Sequence, residues 1–366
     1  MSDTTAVVPP VTVKCLVWDL DNTLWQGTLL EDGKVVLSEA VREVIVGLDA
    51  RGILQSVSSR NDHDLAWAEL EALGVADYFV VAEIGWGRKS DAVRRITERL
   101  DFAPGTVAFI DDQPAERAEV AFHLPDVRCY PAQDATTLLD LPEFNPKSVT
   151  VDARRRREMY QAGFRRTDEQ TRFTGSDEDF LRSLELVMRI GRATDEELSR
   201  VEELTLRTSQ MNATGVHYPD EALRALIADP GHEVLVTTLT DRFGSHGAVG
   251  VLLLEKRPAA WHLKLLATSC RVVAFGAGTI ILNWLVDQAG RAGVHLLADF
   301  RPTERNRMME IAYRFAGFDE QPCDCRDAVA GSSGDDVQVL HLVAERRAAP
   351  TTARLVAPDL TADGPG

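Results

Sequence analysis

The stretch Val17–Trp25, V-W-D-L-D-N-T-L-W, constrains this chain more than any other. The apolar residues Val13, Cys15, Leu16 and Val17 lead into it and suit a strand buried on both faces of a parallel sheet. Asp19 and Asp21 follow at i and i+2, where strand gives way to loop. Open parallel sheets bind ligands in the crevice beyond the carboxyl ends of their strands. Two carboxylates there repel each other, so the pair requires a cation or a shared proton. A hard, oxygen-seeking ion such as Mg²⁺, bound together with substrate phosphate, meets that requirement. One carboxylate can then attack phosphorus while the other moves the proton.

The next hundred residues alternate helix and strand. Helices are expected over 38–51, 62–73 and 89–100, and strands over 53–57, 78–81, 106–110 and 127–130. This pattern predicts an α/β fold with a doubly wound parallel sheet. It places Asp19, Asp21, Ser59 and the pair Asp111-Asp112 at carboxyl ends of strands, with Lys89 opening a helix on the same side. Carboxylates for a metal, with a hydroxyl and an ammonium for phosphate oxygens, make a phosphoryl-transfer site.

That order resembles the haloacid dehalogenase (HAD) superfamily. Its D-x-D-x-T motif is matched by Asp19, Asp21 and Thr23, and its serine by Ser59, with Ser58 as the alternative register. Lys89 matches its lysine, and Asp111 and Asp112 its acidic pair. The resemblance implies Asp19 as nucleophile and Asp21 as acid/base. It implies phosphate contacts from Thr23, Ser59 and Lys89. Mg²⁺ would be held by Asp19, the backbone carbonyl of Asp21, and Asp111 or Asp112.

A Pro- and Thr-bearing boundary at 131–146 leads into a basic stretch with Arg154-Arg155-Arg156-Arg157, Arg165 and Arg166. It reads as a solvated helix face or as a docking surface for an acidic carrier protein. Beyond it, strands are expected over 185–192, 233–240, 248–255, 261–267 and 296–300, with helices over 194–208, 219–228, 279–289 and 306–316. Between 208 and 212 lies the polar cluster T-S-Q-M-N, with Gln210 and Asn212 as candidate substrate contacts. Ser269-Cys270-Arg271 then runs into Gly276-Ala277-Gly278 and an apolar helix, a turn able to bind an anion through backbone N–H groups. Cys270 reads equally well as a small buried hydrophobe or as an acyl-accepting thiolate. His246 and His262 are possible bases, and the strand alternation around His262 favours a structural role for it.

This second half resembles the GCN5-related acetyltransferase (GNAT) fold, whose Gly-rich turn grips the pyrophosphate of coenzyme A. The resemblance brings Arg271, Gly276 and Gly278 to a pantetheine phosphate. The two halves in this order resemble the FkbH-like glyceryl transferase/phosphatase family, on Val17–Trp25, Asp111–Arg117, Thr208–Asn212, Ser269–Val273 and Asn306–Met309. Ser209 stands where that pattern has Asn, and His246 where the glycine turn usually carries an aromatic. The resemblance implies transfer of a three-carbon glyceryl unit from 1,3-bisphosphoglycerate onto an acyl carrier protein for polyketide (methoxymalonyl-type or tetronate) biosynthesis. Cys270 would take the acyl group, with His246 as a candidate base. The expected domains are a HAD-like phosphatase over 11–145, a basic helical linker over 146–180, a GNAT-like acyltransferase over 181–346 and a disordered tail over 347–366. The alternative is a HAD phosphatase of a small phosphorylated metabolite whose second domain binds a carrier without catalysis.

A net charge of −17 over 366 residues argues against nucleic acid as partner. No run of about eighteen apolar residues predicts a membrane helix. The opening residues MSDTTAVVPP lack the basic and apolar regions of a signal peptide, and the five cysteines suit a reducing cytoplasm, the expected location. The five cysteines suggest no disulfide framework. Cys323-Asp-Cys325 has no second Cys/His pair near it in sequence and is expected to be a surface loop.

Overall fold

The computed structural model describes residues 11–146, 149–195, 197–207, 210–329 and 336–362. The chain divides into two compact units, Met1–Gln161 and Ala162–Gly366. Both are α/β.

In the first unit, β1 (Cys15–Trp18), β2 (Leu54–Ser59), β3 (Phe79–Ile84), β4 (Val107–Asp111) and β5 (Arg128–Pro131) form a parallel sheet in the order β3-β2-β1-β4-β5. Every residue of β1 is buried, as the apolar run requires of a central strand. The helices Glu39–Ala50, His63–Ala72, Lys89–Leu100 and Pro114–His123 make the crossovers. The side chains of Ser38 and Asp62 cap the first two, accepting from the Val41 and Leu65 N–H groups. Inside, Trp18 Nε1 donates to Gln55 Oε1 at 3.1 Å and Gln55 Nε2 donates to the Ile45 carbonyl at 2.9 Å, so these buried polar groups are satisfied. Successive connections run outward through β2 and β3, then return across β1 to β4. The strand order therefore reverses between β1 and β4, the topological switch point at which such sheets open a crevice.

The second unit has one mixed sheet of seven strands. They are β6 (Leu186–Arg192), β7 (His232–Asp241), β8 (Gly244–Lys256), β9 (Ala260–Thr268), β10 (His295–Phe300), β11 (Gln338–Leu342) and β12 (Ala353–Val356), in the order β11-β10-β9-β8-β7-β6-β12. β6 to β9 are antiparallel neighbours, and β9 pairs parallel with β10 through the helix Ala277–Ala292. The β9–β10 pairing ends at Leu263 and Ala298, although β9 continues to Thr268. Residues 211–213 take up the partnership there. The Ala213 N–H donates to Leu266 O, Thr268 N–H to Met211 O, and Arg301 N–H to Ala213 O.

Two expectations require correction. The segment 347–366 is not a disordered tail over its described length: β12 hydrogen-bonds in parallel to β6, Leu360 is fully buried, and its N–H donates to Gln288 Oε1 at 2.8 Å. Its Ala/Thr/Pro-rich composition offers little core of its own, but Ala353 and Leu355 pack against the second unit's core while the edge of β6 supplies backbone partners. The arginines of the basic stretch are also not a uniformly solvated face. Arg157 pairs with Asp49 at 2.9 Å and Arg156 donates to Gly52 O within the first unit, whereas Arg166 pairs with Asp241 within the second. Among the described residues, no helix is long and apolar enough to cross a membrane.

Candidate active site

Asp19 follows β1 directly, and its N–H donates to Ile110 O of β4 at 3.0 Å. Asp111 ends β4. The two carboxylates thus stand side by side at the switch point because their strands are neighbours. Lys89, first residue of its helix and almost fully buried, reaches between them. Its Nζ donates to Asp19 Oδ1, to Asp111 Oδ2 at 3.1 Å and to Ser58 O at 2.8 Å, and lies 3.2 Å from Glu116 Oε2. Carboxylate oxygens of Asp19, Asp111 and Asp112 all lie within 4.8 Å of one another.

Negative charge is in excess here. Burial opposes the charge on Lys89, but Asp19, Asp111 and Glu116 outweigh it and raise the lysine pKa. Burial likewise raises the pKa of Asp19, Asp111, Asp112 and Glu116 above the usual carboxylate range. One buried ammonium pairs with Asp19, Asp111 and Glu116, Arg60 lies 3.0 Å from Glu116, and Arg117 acts on Asp112. Asp112 Oδ1 is buried without a hydrogen-bond partner. An orphaned carboxylate oxygen beside two further carboxylates fits a hard divalent cation. Asp111 is more committed, since Oδ1 accepts from Gln113 N–H at 2.7 Å and Oδ2 from Lys89.

The remaining sequence candidates divide. Ser59 and Ser58 line a cavity of about 60 Å³ with Lys89, and the Ser58 hydroxyl has no partner, so the structure leaves both registers in place. Thr23 Oγ1 accepts from the Asp112 N–H at 2.9 Å and pins the acidic loop, which leaves the hydroxyl its own proton to donate. The Asp21 carboxylate accepts from Trp25 Nε1 at 2.8 Å, Leu29 N–H at 3.1 Å and Asn61 Nδ2 at 3.1 Å. Oδ2, which accepts only the Asn61 bond, keeps a lone pair for a proton, and the share of Asp21 in a metal site falls to the backbone carbonyl. Glu116 escaped the sequence reading. It sits in the first turn of the helix Pro114–His123, five residues after Asp111, and that spacing was the available signal.

In the second unit, Ser269 follows β9 and residues Cys270–Phe275 form a short 3-10 helix. Cys270 is exposed, not a buried hydrophobe. Arg271 is exposed too, with Nε donating to Ser269 Oγ at 3.3 Å. Gly276 has φ +68° and caps the helix Ala277–Ala292. No atom lies within 4 Å of where a Cβ would stand on Gly276 or Gly278, so the backbone there can be approached closely. Both glycines line a groove of about 390 Å³ with Met211, Asn283, Met308 and Phe315.

His246 meets the end of the short 3-10 helix through Phe275, ring centroids 5.0 Å apart, and its Nε2 lies 3.0 Å from Asp241 Oδ2. Burial lowers the His246 pKa, so the ring is neutral near pH 7. Nε2–H then donates to Asp241, leaving the lone pair on Nδ1. Burial works against the Asp241 carboxylate, but His246 and Arg166 hold its pKa far below the ordinary range. Its side chain is fully buried, so Asp241→Asn strands Arg166 and is expected to cost about 3 kcal/mol or more. Because the folded pKa is depressed, this contribution is complete above the unfolded pKa of ~4 and fades as pH falls below it. Urea unfolding of both proteins at pH 7 and in acid checks it: the gap should narrow in acid.

Asn212 is not available for substrate. It is buried, Oδ1 accepts from Thr214 and Gly215 N–H groups, and Nδ2 donates to Thr205 O. Asn306 Nδ2 in turn donates to Asn212 O, Ala213 O and Arg301 O, tying 211–213 into the gap beside β9. Gln210 is exposed, while Thr208 and Ser209 lie outside the described residues. His262 is fully buried, its Nε2 2.7 Å from Asp299 Oδ1, in keeping with a structural role.

No protein-family model matches the chain, and no curated protein matches it. Among solved structures, the N-terminal part of a Bacteroides fragilis protein containing a phosphatase domain complexed with Mg is similar at 30% identity and TM-score 0.33, over 37% of this chain. That match spans only 40% of the Bacteroides chain. Tetrahymena GCN5 is similar at 15% identity and TM-score 0.33, over 45% of this chain and 99% of that one. The ribosomal-protein-S18-alanine N-acetyltransferase from Escherichia coli is similar at 15% identity and TM-score 0.32, over 44% and 97%.

Proposed function

We propose that this chain is a Mg²⁺-dependent phosphatase joined to a glyceryl transferase, acting on 1,3-bisphosphoglycerate and a phosphopantetheinylated acyl carrier protein. The observation that carries the phosphatase reading is the buried Asp19–Lys89–Asp111 cluster at the switch point, with the partnerless Asp112 oxygen beside it. Asp19, Asp112 and the Asp21 carbonyl would hold the ion, with Asp111 the alternative carboxylate. When bound it neutralises phosphate charge as phosphorus is attacked. Asp19 attacks the phosphate ester, the C–O–P bridge breaks on the phosphorus side as the departing oxygen takes a proton from Asp21, and water, giving a proton back to Asp21, then releases phosphate from the aspartyl-phosphate and frees the Asp19 carboxylate. Lys89 opposes the effect of burial on the Asp19 carboxylate and orients it.

The transfer reading rests on the resemblance carried by Ser269–Val273 and Thr208–Asn212, supported by an exposed Cys270 in the same short helix as Val273, which lines the groove open at Gly276 and Gly278. The groove's apolar wall suits the hydrocarbon of a pantetheine arm, and its helix N-terminus suits the phosphate. The Cys270 thiolate attacks the acyl-phosphate carbon, phosphate departs, and the thioester passes to the pantetheine thiol, which gives up its proton.

Intact-protein mass spectrometry of carrier incubated with enzyme, Mg²⁺ and 1,3-bisphosphoglycerate tests this. Wild type is expected to add glyceryl to the carrier. Cys270→Ala is expected to abolish that adduct while leaving Mg²⁺-dependent phosphate release intact. An undiminished adduct with Cys270→Ala would remove Cys270 from the pathway. Phosphate release with no adduct on any carrier would favour the phosphatase with a carrier-binding domain.

A further inference from the structure

The loop expected around Cys323-Asp-Cys325 has a partner pair after all. His295 opens β10, and His341 lies on the neighbouring edge strand β11. The antiparallel register sets His341 opposite Leu297, so His295, two residues earlier, is its diagonal neighbour on the same face. His341 Nε2 and His295 Nδ1 are 3.1 Å apart, with ring centroids at 5.1 Å. Cys323 Sγ lies 3.4 Å from the same His295 nitrogen. One donor atom each from His295, Cys323, Cys325 and His341 all fall within 4.8 Å of one another.

We propose that these four side chains form a structural zinc site, bound through two thiolates and two imidazole nitrogens. With Zn–N near 2.0 Å and Zn–S near 2.3 Å, a tetrahedron sets ligand atoms roughly 3.3–3.8 Å apart, close to the two separations given above. Two sulfurs and two nitrogens select a borderline-soft tetrahedral ion over Mg²⁺. Two thiolates cancel the charge of the ion, so the site is neutral when filled. Each thiol gives up its proton as its sulfur–zinc bond forms. Arg326 supplies a second observation: its Nε and Nη2 are buried without a hydrogen-bond partner next to Cys325, as donors to a metal-bound thiolate would be. Four protein ligands close the coordination shell, which is the arrangement of a structural and not a catalytic zinc.

The consequence is mechanical. β11 ends the sheet, and among the described residues its neighbouring strand is β10. The segment that follows the helix Arg307–Ala316 joins β11 through the Asp319–His341 bridge. Zinc would fasten that segment, β10 and β11 at one point and protect the exposed edge.

The test uses the full chain, produced without a histidine tag and purified under reducing conditions without chelator. Elemental analysis is expected to find close to one zinc per chain, and close to none in Cys323→Ser/Cys325→Ser. Metal-free wild type titrated with Co²⁺ is expected to develop a thiolate-to-cobalt charge-transfer band and the intense visible bands of a tetrahedral site, saturating at one equivalent and displaced by Zn²⁺. This spectroscopic arm needs no variant to fold. Wild type that shows neither zinc nor the cobalt bands would overturn the proposal. So would a Cys323–Cys325 disulfide in the freshly reduced and purified protein, or cobalt bands that persist in the double variant.

Discussion

Asp19→Asn is expected to lower the rate of Mg²⁺-dependent phosphate release by at least ~1,000-fold, because a carboxamide cannot form the acyl-phosphate link and no other group takes the nucleophile's place. The fold should survive the change. Asp19 is one of several carboxylates around Lys89, and its loss leaves the ammonium with Asp111 and Glu116. Removing one negative charge from a site where burial already penalises carboxylates offsets the lost ion pair. The thermal midpoint is therefore expected to stay within about 4 °C of wild type. A colorimetric phosphate assay beside calorimetry separates the two effects. An Asp19→Asn protein with undiminished turnover would dismiss Asp19 as nucleophile.

Lys89→Met is expected to do the reverse as well as abolish activity. Lys89 is the buried cation that Asp19, Asp111 and Glu116 share, so its removal leaves buried carboxylates uncompensated. Breaking a buried ion pair from one side costs about 3–5 kcal/mol, or roughly 10 °C in midpoint for a unit of this size. In Mg²⁺-free buffer the variant should melt well below wild type, and millimolar Mg²⁺ should restore part of the difference by supplying positive charge to the same oxygens. A Lys89→Met protein as stable as wild type without Mg²⁺ would show that the cluster carries no excess negative charge.

Much of the first unit was legible in the sequence because its signals are local. An apolar run ending in Asp19-x-Asp21 places carboxylates at a strand end whichever neighbours that strand acquires. The strand–helix alternation then leaves a doubly wound sheet as the economical arrangement. Side-chain partners were less legible. Thr23 and Asp21 belong to the same motif as Asp19, yet one braces the Asp112 amide and the other the Trp25 indole and Asn61 amide. Asn212 reads as a substrate-facing polar group; in the fold it fills, with Asn306, the place where β9 and β10 part. A buried backbone gap demands hydrogen bonds as strongly as a ligand does, and sequence does not distinguish the two demands.

The sequence by itself determined that two α/β units follow one another and that Asp19, Lys89, Asp111 and Asp112 gather at one sheet end, since residues within a strand or its following loop are placed by local geometry. Only the tertiary structure decided what depends on register and strand order. It drew 353–356 onto the edge of β6, buried Glu116 beside Lys89, and set His295 against His341, 46 residues apart, with Cys323 and Cys325 beside them. The physical reason is that a hydrogen-bonded sheet brings distant segments within about 5 Å, and a slip of one residue in either strand would turn these side chains to the opposite face.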